Sequence, residues 1–500
     1  MFYPYRIYST RIDGKANQRW IMLNIRQYEQ AMKPGYFARW NAEEQTRIDN
    51  DIEKNRKADG QFKIPGIPAG TEVKVDQLRH EFIFGAQIFN FDQLGSPEAN
   101  ARYRALYGEL FNSATIAFYW QPFEPEEGKR RFSPADNDSA EFWNHCPDPM
   151  MQPHWRRPAP DAVVEFCEEK GIRCHGHPLI WGSPVWQYPR FILEKLPKTI
   201  LVQMLTDVRC GTNIMKQGDA LAEQCPEFVE YLNRKFDERI TAIAEHYGNR
   251  IQSWDVCNES AYEVTAGNFR PGAKICLGYQ GRPMPADYTF RAFQTAQKAF
   301  PPEVRLNIND WHLKPNYLKQ VKDLLTRGCK IDILGAQMHL FEPQMCLDIA
   351  DGISDLQSPG QVRKTMSMLA EAGLPIHLSE ITITAPNNDE RGQAIQAVIA
   401  RNLYRLWFSL KPMMGITWWN VVDDCGAPGE PSVSGLFSRN MEPKPVYHAL
   451  ADLINREWKT RTAVKAGKNG SVEFRGFRGR YRLAWENRTG KEETVEVILH

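Results

Sequence analysis

Short apolar runs alternate with longer amphipathic stretches between about residue 80 and residue 458. The runs have the length of buried strands, and the stretches carry apolar residues at helical spacing. This repeated strand and helix order predicts an α/β protein, a (β/α)8 TIM barrel of parallel strands surrounded by helices. The predicted strands are residues 82–89, 113–119, 173–180, 251–257, 304–309, 331–337, 376–380 and 415–421.

The two ends of the chain follow a different pattern. Residues 60–80 and 471–499 alternate apolar and polar positions between turn residues, which is typical of antiparallel strands. Residues 41–55 have too few apolar positions for a buried helix and predict a solvated one. Because chain termini often lie close together, we expect both ends to form one small β-sandwich beside the barrel. The predicted division is an N-terminal element at 1–80, the barrel at 81–458 and a C-terminal β segment at 459–500.

Two of the apolar runs end in a glutamate. Residues 251–257 lead into Asn258 and Glu259, and the run that begins at residue 376 leads into Glu380. Side chains at the carboxyl ends of barrel strands face the functional mouth, so we expect both carboxylates there. Two carboxylates across one site suggest glycoside hydrolysis. A helix cap or a surface ion pair is the simpler explanation of either glutamate taken alone.

Composition and charge narrow the range of partners. The chain has 62 Lys and Arg against 61 Asp and Glu, and this net charge of +1 gives no electrostatic reason to bind nucleic acid or an anionic membrane. No apolar stretch reaches the ~18 residues that a membrane span needs. The 14 tryptophans suit a site whose aromatic faces contact sugars, although most tryptophan in a large protein is core. We therefore expect a neutral polysaccharide or oligosaccharide as the partner.

The N-terminus and the cysteines bear on localisation. The first residues contain no basic segment followed by an apolar run, so no signal peptide is visible in the chain as given. The ten cysteines are scattered without a short repeated spacing, and Cys174 and Cys257 fall in predicted strands. This pattern favours free thiols and a reducing compartment, while a processed periplasmic or secreted protein remains an alternative.

Six segments at predicted strand ends resemble, in order and spacing, the signature set of glycoside hydrolase family 10, best known for xylanases. The resemblance covers roughly residues 80 to 458 and implies a retaining β-glycoside hydrolase without a metal or a cofactor. Its substrate would be xylan or a related β-linked plant or algal polysaccharide. The segments are 176–181 (GHPLIW), 254–259 (WDVCNE), 309–311 (NDW), 337–339 (QMH), Glu380 and 415–419 (GITWW).

The resemblance also implies roles for individual residues. Glu259 matches the general acid/base and Glu380 matches the nucleophile, and an ionised Glu380 nearby would help to keep Glu259 protonated. The other matches would bind substrate. They are Asn258 on the sugar 2-hydroxyl, His339 and Gln337 beside the nucleophile, His177 and Trp181 as the wall of the innermost sugar site, and Trp419 above it.

The departures from the family pattern are concentrated on one side of the site. The Glu, Asn and Lys of the segment after the second strand become Thr115, Ile116 and Tyr119. A glutamine after the Trp181 position becomes Pro184, and an aspartate after the nucleophile becomes Thr382. A second tryptophan expected after Asp423 is also not evident. In the family, the polar residues that are lost here mostly bind the second sugar on the non-reducing side.

Two outcomes are compatible with this loss. A different or decorated sugar could occupy the second site. Alternatively, the long insertions at 133–160 and 183–228 could close the site and leave an exo-acting or short-substrate enzyme. For the terminal sandwich, structural support and carbohydrate binding are both open.

Two rival functions remain at this stage. Histidines at alternate positions of one strand predict a metal-dependent hydrolase of amidohydrolase type, whose ligands would be His175, His177, His339, His377 and Asp423. Against it, the histidine pair lies on the third predicted strand, whereas amidohydrolases carry it on the first. A catalytically inactive glycan-binding barrel is the other rival, and retention of both glutamates argues against it.

Overall fold

The computed structural model describes residues 25–182, 188–199, 202, 224–261, 275–277 and 283–500. The strands are β1 (Lys57–Lys63), β2 (Glu72–His80), β3 (Ile83–Gln87), β4 (Ser113–Ala117), β5 (Arg173–His177), β6 (Ile180–Trp181), β7 (Ser253–Asn258), β8 (Ile275–Leu277), β9 (Pro283–Pro285), β10 (Arg305–Asp310), β11 (Ile333–Leu340), β12 (Ile376–Ile383), β13 (Met413–Trp418), β14 (Arg461–Lys465), β15 (Ser471–Phe477), β16 (Gly479–Glu486) and β17 (Glu492–Leu499).

The helices of the same part of the chain lie mostly between the barrel strands. They are α1 (Ile25–Glu29), α2 (Pro34–Arg39), α3 (Ala42–Arg56), α4 (Pro97–Leu110), α5 (Trp120–Phe123), α6 (Ala140–His145), α7 (Pro160–Lys170), α8 (Arg190–Leu193), α9 (Pro226–Tyr247), α10 (Tyr288–Ala299), α11 (Pro315–Thr326), α12 (Pro343–Ala350), α13 (Pro359–Ala370), α14 (Glu390–Ser409) and α15 (Pro445–Asp452). None of these described helices is both long enough and apolar enough to span a membrane.

Eight strands close a parallel barrel in the order β3, β4, β5, β7, β10, β11, β12 and β13. The ring closes where β13 pairs with β3, and Gly415 lies opposite Ile83. The predicted TIM barrel is confirmed, and each predicted strand overlaps an observed one. One difference concerns β12, which continues past Glu380 to Ile383 and stays paired with β11. Because β12 is buried along its whole length, polar Glu380 interrupts the apolar pattern without ending the strand.

Local signals fix the ends of several barrel helices. Ser96 caps α4, Ser358 caps α13 and Asp389 caps α14, since each side-chain oxygen accepts a backbone N–H of the first turn. Helix α7 ends at Gly171, whose φ of 63° is the left-handed conformation that favours glycine. These caps orient the helices that surround the strands.

The chain ends form two small sheets that face each other. In one sheet β1 pairs with β15, and in the other the order is β14, β2, β16 and β17. Their shared core is apolar and includes Val73 and Val75 from the N-terminal part with Phe474, Tyr481 and Leu483 from the C-terminal part. The predicted flanking sandwich built from both ends is therefore confirmed. The division at residues 80 and 458 stays a prediction, and residues 1–24 lie outside the described residues.

The region before the sandwich packs on the barrel. Helix α3 is present where a helix was predicted, but it is not fully solvated, since Ile48 and Ile52 are buried. The Arg56 guanidinium donates to the carbonyls of Phe408, Leu410 and Met413. These carbonyls follow or end α14, so Arg56 satisfies groups that the helix itself leaves without a partner.

Removal of the C-terminal strands tests whether the sandwich is part of the barrel's folding unit. A chain that stops at residue 458 loses β14 to β17 and exposes Val73 and Val75, which are fully buried. We expect insolubility or a melting temperature lower by roughly 10 °C.

A matched pair of point variants provides the control, because Leu499 is buried and Ile498 is exposed. Leu499→Ala should destabilise and Ile498→Ala should not. An unchanged melting temperature of the truncated chain would instead indicate a tethered module.

Candidate active site

A cavity of about 600 Å³ lies at the carboxyl ends of the barrel strands. All the residues that the sequence assigned to the site line it, although they come from five different strand ends and loops. They are His177, Trp181, Asn258, Glu259, Gln337, His339, Glu380 and Trp419. The structure thus brings the predicted set together around one space, while their individual roles stay predictions.

Glu259 follows directly after β7 and has a positive φ of 56°. A non-glycine residue in this conformation is strained and is held by its surroundings. The Glu259 N–H donates to the Asn309 carbonyl at 2.8 Å, which fastens the turn to β10. The Trp181 indole N–H donates to Glu259 Oε2 at 3.0 Å. The sharp turn after the strand therefore aims this carboxyl into the cavity.

Glu380 lies inside β12 and faces the same cavity. Asn309 Nδ2 donates to Glu380 Oε1 at 2.7 Å and also to Asn258 Oδ1 at 2.8 Å. His177 Nε2 lies 3.8 Å from Glu380 Oε1, and His339 Nε2 lies 3.5 Å from its Oε2. Glu380 is consequently held from several sides.

Gln337 links the two carboxyl groups. Its Nε2 donates to Glu259 Oε1 at 3.2 Å and to Glu380 Oε1 at 3.1 Å. Because both Oε1 atoms contact the same nitrogen, they lie closer together than ~6.5 Å, which is the shortest separation of the two carboxyl groups in inverting glycosidases. Their positions allow the ~5 to 5.5 Å of retaining enzymes. The geometry is therefore compatible with a retaining glycosidase.

Burial raises the pKa of both carboxyl groups. The pKa of Glu259 rises to about 8, first through burial and then through the negative charges of Glu380 and Asp310. The pKa of Glu380 rises to about 7 because of burial, while His177 and the Asn309 hydrogen bond oppose the increase. The proton of the pair therefore resides preferentially on Glu259, as an acid at that position requires.

A buried chain of polar groups lies beneath Glu380. Asp255 Oδ2 is 2.8 Å from His177 Nδ1 and 2.9 Å from His175 Nε2, and His175 Nδ1 is 2.8 Å from Ser253 Oγ. Burial alone would raise the pKa of Asp255, but the two histidines outweigh it and hold that pKa well below its usual range. This charge fixes the orientation of His177 beside Glu380.

The same arrangement bears on the metal-hydrolase alternative. His175 and His177 both contact Asp255, and His377 Nε2 lies 2.8 Å from Thr417 Oγ1. Within the ranges that the structure describes, no three His, Cys, Asp or Glu side chains are grouped so that they could hold a metal ion. Eight buried cysteines are free thiols, namely Cys146, Cys167, Cys174, Cys225, Cys257, Cys329, Cys346 and Cys425.

His339 contacts Thr382, one of the departures from the family pattern, and has no carboxylate at that position. Its Nδ1 lies 3.0 Å from Thr382 Oγ1, and its ring stacks on Phe341 with centroids 4.2 Å apart. Burial lowers the pKa of His339 to about 4. A neutral imidazole can donate to Glu380 without adding a positive charge beside it.

The other departures have different positions in the fold. Tyr119 lines the cavity, with its ring 5.6 Å from that of His177. Thr115 and Ile116 are buried within β4 and do not appear among the described residues that line the cavity. Pro184 lies outside the described residues. Only one of the three changed side chains after the second strand therefore touches the space where substrate would bind.

Sequence reasoning missed several residues of this site. Asn309 belongs to the segment 309–311, for which the resemblance implied no individual role, although it donates to Glu380 and Asn258. Its position at the end of a predicted strand was a usable signal. Arg156 and Glu430 line the cavity, and nothing in their sequence surroundings indicated it.

Three known proteins are similar to this chain in sequence or in fold. The endo-β-1,4-xylanase Xyn10C of Cellvibrio japonicus is 27% identical over 371 residues, which cover 67% of this chain and 49% of that protein. The endo-1,4-β-xylanase B of Thermotoga neapolitana is 22% identical over 68% of this chain and 80% of that protein. The crystal structure of xylanase 10B from Thermotoga maritima has a TM-score of 0.51 and 19% identity, covering 75% of this chain and 96% of that chain.

These three matches and the family profile differ in how much of each protein they cover and in what they show. The chain spans about half the length of the Cellvibrio relative, and the similarity to the solved structure concerns the fold. The profile of glycosyl hydrolase family 10 matches residues 81–453, which is most of the chain and contains the whole barrel and both glutamates. The amidohydrolase alternative is not favoured by any of these matches. The chain belongs to glycosyl hydrolase family 10.

Proposed function

We propose that the protein is a retaining β-glycoside hydrolase of the endo-1,4-β-xylanase type that acts on xylan or a related β-linked polysaccharide. The observation that carries this proposal is the Gln337 amide, which contacts Glu259 and Glu380 at 3.2 and 3.1 Å across one cavity. Membership of the family and the xylanase relatives support the substrate class. No step of the mechanism uses a metal or a cofactor.

In the first half of the reaction, the Glu380 carboxylate attacks the anomeric carbon. Glu259 gives its proton to the leaving oxygen as the glycosidic bond breaks, and a covalent glycosyl ester forms on Glu380. Asn309 and His339 hold the nucleophile, and Asn258, which accepts a hydrogen bond from Asn309, binds the sugar 2-hydroxyl in this proposal. A hydrogen bond to that hydroxyl strengthens in the transition state.

In the second half, Glu259 acts as a base. It takes a proton from a water molecule, whose oxygen attacks the anomeric carbon and releases Glu380. Two inversions give net retention of the β configuration. The pKa of Glu259 falls once Glu380 is esterified, because a negative charge beside it has disappeared.

The two raised pKa values predict the pH dependence of kcat/KM for the free enzyme. Activity needs Glu380 ionised and Glu259 protonated, so the rate should fall below about pH 7 and again above about pH 8. These are the apparent values of a coupled pair.

A variant assigns the two sides of this profile. With an aryl substrate that needs no protonation, Glu259→Ala should lose the alkaline limb, which is the fall in rate at high pH, and keep the acid limb, which is the fall at low pH. An alkaline limb that persists in the variant would contradict the assignment of Glu259.

The test of the function is hydrolysis of a panel of β-linked polysaccharides and of aryl β-glycosides by the full chain. NMR of the first product should show the β anomer before mutarotation. Product sizes distinguish internal from terminal cleavage. The α anomer as first product, or turnover that stops on chelation, would overturn the proposal.

A further inference from the structure

A third carboxylate, that of Asp310, is buried next to the turn that carries Glu259. Asp310 ends β10, where the preceding residue Asn309 lies opposite Asn258 of β7. The residues that follow this pair, Asp310 and Glu259, are therefore level with each other at the strand ends. Asp310 is fully buried and is not among the described residues that line the cavity. It thus lies beside the acid/base without meeting the substrate.

Asp310 ties together the two loops that leave β7 and β10. Its Oδ2 accepts the backbone N–H of Ala261 at 2.7 Å, and its Oδ1 accepts the backbone N–H of His312 at 2.7 Å. The backbone N–H groups of Ser260 and Trp311 also donate to this carboxylate. One side chain therefore holds the first residues of both loops.

The turn that carries Glu259 depends on such support. The positive φ of Glu259 is a strained conformation that persists only when its surroundings hold it. Its own N–H is fastened to β10 at 2.8 Å, and two residues later the Ala261 N–H is fastened to Asp310. Between these two points, Gln320 of α11 donates to Ser260 Oγ at 2.9 Å. The direction of the Glu259 side chain is consequently set in part by Asp310.

The burial of Asp310 is not compensated by a cation. Its partners among the described residues are backbone N–H groups, and no lysine or arginine pairs with it there. Burial raises the pKa of Asp310 to about 6, although the N–H groups oppose the increase. This pKa is still below that of Glu259, which is about 8. Between these values Asp310 is ionised while Glu259 keeps its proton.

The other titratable groups around Asp310 are neutral in this pH range. The Tyr317 hydroxyl of α11 donates to two backbone carbonyls, and burial, then the charges of Asp310 and Asp255, hold its pKa well above the usual range. The pKa of His312 is lowered by burial and by the charge of Lys314. The negative charge of Asp310 is therefore left facing the acid/base.

Two negative charges act on Glu259, and they differ in timing. Glu380 lies on β12 and Asp310 on β10, whereas Gln337 and Trp181 donate neutral hydrogen bonds. The charge of Glu380 disappears when the glycosyl ester forms. Asp310 takes no part in that bond and stays ionised. Because a like charge favours the protonated form of a carboxyl group, Asp310 keeps Glu259 basic when it has to take a proton from water.

We propose that Asp310 is a positioning residue of the acid/base: its buried carboxylate holds the turn that carries Glu259 and keeps a negative charge beside it in both halves of the reaction. This inference deepens the proposed function and rests on it, since it needs Glu259 to act as an acid and then as a base. The role also explains why an unpaired carboxylate is buried at this point, which is otherwise costly.

The experiment replaces Asp310 in the full chain by two neutral residues and compares pH profiles. Asp310→Asn keeps the side-chain volume and one acceptor oxygen, and Asp310→Ser keeps a hydroxyl that can accept one N–H. The substrates are phenyl β-xylobioside, whose leaving group needs a proton, and dinitrophenyl β-xylobioside, whose leaving group does not.

Loss of the charge lowers the pKa of Glu259, so the alkaline limb of kcat/KM on the phenyl substrate should move to lower pH by roughly one pH unit. The acid limb should move less. At the best pH, kcat/KM on the phenyl substrate should fall at least about tenfold and that on the dinitrophenyl substrate less than about threefold, because only the first reaction needs a well-placed proton donor.

Two control variants separate this role from loss of structure. Ser260→Ala removes the Gln320 contact from the same turn without removing a charge. Asp332→Asn removes a carboxylate that accepts the Leu306 N–H at 2.8 Å at the opposite end of the barrel. Neither should move the alkaline limb. Melting curves show which variants fold.

Each outcome decides for or against the inference. An alkaline limb that stays at the parent pH in the folded Asp310 variants would overturn it, and so would equal losses on both substrates, which indicate a general structural role. Failure of both Asp310 variants to fold, beside folded controls, would likewise reduce Asp310 to a structural residue. A parent enzyme that hydrolyses neither substrate would overturn the proposed function, and the inference with it.

Discussion

Glu380→Ala and Glu259→Ala should each abolish nearly all activity on a polysaccharide, with kcat/KM lower by roughly 10⁴-fold or more. Glu380→Ala removes the proposed nucleophile, whose carboxylate Asn309, His177 and His339 surround. Glu259→Ala removes the proton donor, and a sugar oxygen is a poor leaving group without one. The measurement is the initial rate on the natural glycan.

An activated substrate should separate the two variants. A dinitrophenyl group leaves without protonation, so Glu259→Ala should still form the glycosyl ester rapidly and then stall, because no base activates water. Azide needs no base and should restore turnover, with a β-glycosyl azide as the product. Glu380→Ala should show neither behaviour.

A conservative pair of variants controls for the loss of side-chain volume. Glu259→Gln and Glu380→Gln keep the size of the side chain and the hydrogen bond to Gln337 on one oxygen. Each should resemble the corresponding alanine variant in kinetics and the parent in melting temperature. If Glu380→Ala instead gave the β-azide and Glu259→Ala did not, the two roles would have to be exchanged.

Replacement of Asn309 should have the next largest effect. Asn309 is a positioning residue, since its amide donates to Glu380 and to Asn258. A hydrogen bond to a charged group is worth roughly 1.5 to 3 kcal/mol, so Asn309→Ala should lower kcat by about ten- to a hundredfold. The effect should fall on kcat more than on KM, because the orientation of the nucleophile matters most in the transition state.

The pH profile distinguishes positioning from simple destabilisation. The Asn309 hydrogen bond lowers the pKa of Glu380, so its removal should move the acid limb of kcat/KM to higher pH. Asn307→Ala is the matched control, because Asn307 is equally buried on the same strand and its side-chain oxygen has no hydrogen-bond partner among the described residues. An unchanged acid limb in Asn309→Ala would show that this contact does not tune the nucleophile.

The sequence by itself determined the barrel and the terminal sandwich, and its resemblance to a known family added eight of the residues around the cavity. Local chemistry is sufficient for the barrel and the sandwich. Alternation with a period of two or about 3.6 residues reports which face of an element is buried. A polar residue at the end of an apolar run, such as Asn258 or Glu259, reports the mouth of a parallel barrel.

Only the tertiary structure decided how that mouth is shaped. Arg156, Gln93, Asn420 and Glu430 are separated by up to several hundred positions, and no local pattern records that they meet. Thr115 and Ile116 looked like altered sugar contacts in the sequence, yet they are buried in β4 and leave Tyr119 as the changed surface. Burial, like-charge proximity and hydrogen bonding across strands set the pKa values of Glu259 and Glu380. Each of these effects depends on distances through space, which spacing along the chain does not determine.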